Sequence, residues 1–107
     1  MVLRFWHGWT TPSNADAYEA LLKDEIFVNI RDRKIPGYRG IRLLRRAMSS
    51  EVEFVTIMTF DNIEAVRQFA GQDCEAAVVP QKARALLARF DQRSLHYELR
   101  VELATEQ

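Results

Sequence analysis

His96 lies in the stretch RSLHYELRVEL, one of two histidines in the chain, and Glu98 follows two residues later. An unperturbed imidazole titrates near neutral pH, which suits it to take a proton from a phenolic or enolic substrate. In an extended strand, residues two apart share a face at about 7 Å. Glu98 would therefore act on His96 through its field rather than through a hydrogen bond. The competing reading is a strand-edge histidine satisfied by water or a polar neighbour.

Near the other end, LRFWHGWT offers Trp6, His7 and Trp9. An indole joins a large apolar area to a single N–H donor, the combination needed to hold a flat aromatic ligand by its oxygen, although core packing uses the same residue. Trp6 and His7 fall on opposite faces of a strand, so one of them at most shares the face of His96. Leu3, Phe5 and Trp9 make their face resemble a helix-side core, which assigns Trp6 to the cavity and leaves His7 in the core. Arg39, Arg42 and Arg46 in YRGIRLLRR could neutralise an anionic substrate, or could guard an edge strand against pairing. Tyr38 could present a pocket phenol, and Cys74, with no activating feature nearby in the sequence, reads as small buried filler.

The elements that must position these groups follow from periodicity and punctuation. Residues 3–10 read as a strand. From about 14 to 32, Tyr18, Leu21, Leu22, Ile26 and Ile30 mark the stripe of an amphipathic helix, with Thr11 or Asn14 as its cap and Phe27 and Val28 off the stripe. KIPGYRG ends it. YRGIRLLRRAM and EVEFVTIMTF form a hairpin joined at Ser49 and Ser50. DNIEAVRQFAG is a second helix capped by Asp61 or Asn62, with Ile63, Val66 and Phe69 on one face and Gly71 at its stop. A further helical piece, about 75–90 and interrupted at Pro80, leads to a closing strand over 92–103.

The order β-α-β-β-α-β predicts a ferredoxin-like α+β fold: four antiparallel strands in the order 4-1-3-2 with helices on one face. The central strands are apolar on both faces, so the face away from the helices needs a cover. A second copy packed face to face is the economical one. On this reading Leu95, Tyr97 and Leu99 pack on the helices, while His96 and Glu98 point to the open face.

The 107 residues fit a single domain over 1–107. Fifteen Lys plus Arg balance fifteen Asp plus Glu, and the zero net charge gives no footprint for nucleic acid or an anionic membrane. The hydrophobic fraction of 48% with near-zero charge favours self-association. A lone cysteine rules out an intrachain disulfide and suits a reducing compartment, so a cytoplasmic location is expected. No secretory leader and no run of about 18 apolar residues is visible. Two histidines and one cysteine far apart make no zinc pattern, and the four scattered glycines make no phosphate loop.

Taken together, FWHGWT, ADAYEALL, IPGYRGIRLLRR, EFVTIMTF with FDNIEAVRQFAG, and ARFDQRSLHYEL resemble, in that order and over nearly the whole chain, the antibiotic biosynthesis monooxygenase-like group of dimeric α+β barrel proteins. The resemblance implies a homodimer with a pocket between sheet and helices in each subunit. Some members oxidise aromatic polyketides with oxygen and no cofactor; others bind or degrade haem; for many no activity is known. The haem-degrading pattern of an Asn on the first strand, a Trp on the third and a His on a following helix is missing here. The expectation is therefore a small aromatic or polyketide-like ligand with no cofactor and no metal, and His96 as base, Trp6 as positioning group, and Tyr38, Arg42 and Glu98 around the substrate. The alternative is a non-catalytic dimeric module binding a small hydrophobic ligand.

Overall fold

The computed structural model describes residues 1–105; positions 106 and 107 of the expected domain lie outside the described residues. Strand β1 spans Val2–Thr10, β2 Tyr38–Ala47 and β3 Val52–Phe60, all rich in the β-branched and aromatic residues that suit a pleated surface. A 3-10 turn at Pro12–Asn14 is capped by Thr11, whose Oγ1 accepts from the Asn14 amide at 3.3 Å. It leads into α1 (Ala15–Leu21), a π-turn at Leu22–Ile26, and α2 (Phe27–Asp32). The π-turn inserts one residue into the helical period. That phase shift is why Phe27, off the regular stripe, packs inward beside Leu22 and Ile26.

The hairpin forms as read, closed by the Met48 amide donating to the Glu51 carbonyl at 2.8 Å. Helix α3 (Ile63–Ala70) is capped by Asn62, which accepts from the Ala65 amide at 3.0 Å, and stops at Gly71 with φ 95°. The expected helical piece over 75–90 shrinks to α4, Gln81–Leu86. Pro80 restricts Val79 before it to extended backbone, and from Leu87 the chain pairs with β1 instead of continuing the helix.

The closing strand is broken in two: β4 (Leu87–Phe90) pairs with Gly8–Thr10, and β5 (Leu95–Glu98) with Val2–Phe5, both on the same edge of β1. The sheet order β2-β3-β1-β4, with β5 continuing beside β1, is the ferredoxin-like 4-1-3-2 arrangement with its last strand split by residues 91–94.

Facing is where the expectation fails. On β1 the buried residues are Arg4, Trp6, Gly8 and Thr10, which lie under the helices, while Leu3, Phe5, His7 and Trp9 share the open face. The two apolar clusters beneath the helices are centred on Tyr18, Leu22 and Phe54, and on Met58, Phe60, Val66 and Phe69. Each of these large side chains contributes roughly 1.5–3 kcal/mol by leaving water. Gly8 is required by its neighbour: a Cβ there would lie 2.7 Å from the Trp6 ring and 2.9 Å from Leu87. Small at residue 8 and large at residue 6 is how the indole lies flat under the helical layer. No described helix is long and apolar enough to cross a membrane.

Candidate functional site

Between the two apolar clusters the central strands place polar residues: Arg4 and Trp6 on β1, and Thr56 on β3 opposite Trp6. The helical layer does not close over them. A cavity of about 60 Å³ remains, walled by Leu22, Ile26, Phe27 and Ile30 from the π-turn region, by Met58 and Phe69, and by Val78–Pro80 from the segment before α4. It continues past Ile26, Ile30, Phe69, Val78 and Pro80 into an outer groove of about 320 Å³. Thr56 and Ser94 also line the cavity and bring a hydroxyl each to its wall. A π-turn at such a place widens a helix where a ligand would pass.

Arg4 is 3% exposed. Its Nη1 donates to the Cys74 carbonyl and, at 2.9 Å, to His96 Nε2; its Nη2 donates to the Ala76 carbonyl at 2.9 Å. A guanidinium has no acceptor, so His96 Nε2 must be the unprotonated nitrogen. Burial lowers the His96 pKa, the Arg4 charge lowers it further, and Glu75 partly opposes both. The imidazole is held neutral with its lone pair occupied.

The expected site residues are thus dispersed. His96 lies on the helix side, opposite Arg4 in the β1–β5 register, whereas the sequence reading put it on the open face. Leu95 (52% exposed) and Tyr97 (54% exposed) take the open face instead of packing on helices. Strand alternation separates two sets of side chains without saying which set meets the helices. The more apolar set of this strand covers the outer surface of the sheet. Trp6 does line the cavity, from the helix side, but its Nε1 donates to the Asp91 carbonyl at 2.8 Å, so it supplies a wall and not a free donor.

Tyr38 packs on Phe60 at 5.7 Å and lines a separate surface groove with Val28 and Ile35, burial raising its pKa. Arg42 is exposed on edge strand β2, where Arg39 and Arg46 pair with Asp61 and Glu53 at 2.7 and 2.8 Å. Glu98 is exposed at the end of β5. The structure brings Trp6 and, through Arg4, His96 to one region, and places His96 and Glu98 together along a separate groove beside Met1 and Ile63; Tyr38 and Arg42 are elsewhere.

Two groupings escaped the sequence. Arg4 could have been found from the period-two match of Arg4, Trp6 and Gly8, since Gly8 beside a tryptophan marks a crowded face. Asp91 had no such signal: its Oδ2 lies 2.9 Å from His7 Nδ1 across 84 residues of chain, beside Trp9, which stacks on His7 at 6.0 Å. That pair sits on the open face next to an apolar groove of Leu3, Phe5, Leu95 and Tyr97. His7, expected in the core, is therefore on the opposite side of the sheet from the cavity. Among the described residues no three His, Cys, Asp or Glu side chains cluster as a metal site would need.

The fold has close counterparts among solved structures. A Bacillus cereus protein proposed to be an antibiotic biosynthesis monooxygenase matches with a TM-score of 0.69 at 13% identity, over 100% of this chain and 98% of its own. The haem degrader MhuD from Mycobacterium tuberculosis, seen with two haems in its active site, matches with a TM-score of 0.59 at 21% identity, over 97% and 100%. No protein-family model and no curated protein matches the sequence. Identities this low carry the architecture and not the chemistry. What this chain shares with both proteins, over essentially its full length, is the α+β fold of the antibiotic biosynthesis monooxygenases.

Proposed function

We propose that the chain binds a small, flat, largely apolar molecule in the helix-side cavity and, in its enzymatic form, oxidises it with molecular oxygen without a cofactor, as a homodimer joined through the open sheet faces. The observation that carries this reading is the cavity itself: apolar walls, two hydroxyl side chains and a buried cation, opening on a groove between α2 and residues 78–82. Apolar walls admit oxygen and a ring. Thr56 and Ser94 can orient a polar edge, and the field of Arg4 in a poorly hydrated space favours an ionised ligand over its neutral form.

No lining residue has a free basic lone pair, because His96 is engaged by Arg4 and His7 lies across the sheet. A substrate suited to this site is one that is ionised already or ionises in the field of Arg4, after which its electron-rich carbon can reduce oxygen. His96 then serves as a positioning residue for Arg4. Haem binding is the lesser reading, since β1 carries no Asn and no described helix carries a His.

The second reading, a non-catalytic binder, is favoured by the small volume of the cavity. Oxygen uptake with a panel of quinols and polyketide-like phenols separates the two. Saturable uptake, lost in Arg4→Gln with far-UV circular dichroism unchanged, is the expected result. Saturable binding without uptake assigns the chain to the second reading, and absence of both rejects the cavity as a ligand site.

A further inference from the structure

The most buried arginine of the chain lacks what several of its surface counterparts have. Arg39, Arg45, Arg46, Arg89 and Arg93 each reach a carboxylate. Among the described residues Arg4, at 3% exposure, reaches only the carbonyls of Cys74 and Ala76 and the neutral ring of His96. A guanidinium keeps its proton in proteins, and an unpaired charge taken out of water is strongly unfavourable unless something compensates it. Such an arrangement persists where a ligand supplies the missing charge.

The donors that remain are specific. Of the five N–H groups of a guanidinium, three are used, leaving Nε–H and one Nη2–H without a described partner. Those two nitrogens are adjacent, the pairing that receives a carboxylate through two parallel hydrogen bonds. Phe69 lies beside this group, with the Arg4 guanidinium carbon 5.5 Å from its ring centroid. The Arg33 guanidinium carbon is 5.4 Å from the same ring. Arg33 lines the outer groove and bonds the backbone carbonyls of Gln68 and Phe69. Glu25, at the same mouth, is neutralised by Lys82 at 2.7 Å. The route from solvent to cavity therefore runs between two cations that no carboxylate among the described residues contacts, Glu75 acting on Arg4 only through its field, which draws anions inward.

We propose that the ligand of this site is a small planar monocarboxylate, an aromatic or conjugated acid whose carboxylate is received by Arg4. This rests on the small-molecule reading above and names its ligand class. The apolar body of the acid lies along Ile26 and Ile30 and extends past Phe69 into the outer groove of about 320 Å³. His96 and the Cys74 and Ala76 carbonyls hold the guanidinium in place, so that His96 is a positioning residue and residues 74–76 tie the segment before α4 to the sheet.

Calorimetric titration with benzoate and with its neutral isostere benzamide tests this. Benzoate is expected to bind at least about tenfold tighter than benzamide, the difference one charge-assisted bidentate contact provides. Arg4→Gln should erase that preference, bringing benzoate down to the affinity of benzamide. Should Arg4→Gln fail to fold, His96→Ala and His96→Gln serve instead. Gln keeps an acceptor for Arg4 and should preserve the preference, whereas Ala should weaken benzoate alone. Equal affinity for benzoate and benzamide overturns the carboxylate assignment and leaves the cavity a ligand site. Binding of neither, up to millimolar concentration, overturns both.

Discussion

Arg4 Nη1 and His96 Nε2 stand 2.9 Å apart on adjacent strands, and the chemistry of the pair fixes its protonation: the arginine donates, so the histidine accepts and carries its hydrogen on Nδ1. A proton on Nε2 would put two donors and two positive charges face to face. The charged groups that act on His96 are Arg4 from β1 and Glu75 from the segment after α3.

Stability should consequently fall with acid in a way that depends on His96. Burial first and Arg4 second lower its folded pKa, so the unfolded chain binds the proton more readily. The contribution is complete above the unfolded value of about 6.5 and is lost as the pH falls below it toward the folded value. Thermal unfolding across this range should show a steeper loss of Tm for wild type than for His96→Gln, which keeps an acceptor and cannot titrate. Parallel curves would show that the histidine is not held neutral by Arg4.

Gly8→Ala should loosen the cavity wall. The added methyl would lie 2.7 Å from the Trp6 ring and 2.9 Å from Leu87, so the indole must move and strain or break its 2.8 Å bond to the Asp91 carbonyl. Overpacking of this kind costs about 1–3 kcal/mol. Urea unfolding should report that loss, together with a red-shifted tryptophan emission. An unchanged midpoint would mean that the indole has room the structure does not show.

Tyr97→Glu should separate the proposed homodimer. Tyr97 meets Phe5 edge-on at 5.4 Å on the open face, continuous with Leu3 and Leu95 and at 54% exposure in the single chain. A carboxylate at that place would be buried without a partner on association. Sedimentation at micromolar concentration should give a dimer for wild type and a folded monomer for the variant. A monomeric wild type would refute the proposed association.

The architecture was legible because it depends on local signals that repeat. The stripe from Tyr18 to Ile30, the Asn62 cap with Gly71 at the stop, and the hairpin closed around Ser49 and Ser50 are all short-range features, and their order leaves few topologies open. The break in the closing strand was not legible, since Leu87–Phe90 carries a helix-compatible composition and becomes a strand only because the edge of β1 is there to pair with it.

The site divides in the same way. By itself the sequence determined which side chains of a strand go together: Arg4 with Trp6 and Gly8, His96 with Glu98, and Leu95 with Tyr97, since alternation is a property of the extended backbone. Only the tertiary structure decided which set faces the helices, and with it that His96 belongs to Arg4, that His7 belongs to Asp91 on the far side, and that Tyr38 and Arg42 stand apart from the cavity. The reason is that both faces of this sheet are apolar. Hydrophobicity separates inside from outside only when one face is wet, and here the choice rests on the fit of particular volumes, Gly8 under Trp6 and Arg4 against Phe69, between residues that meet only once the chain has folded.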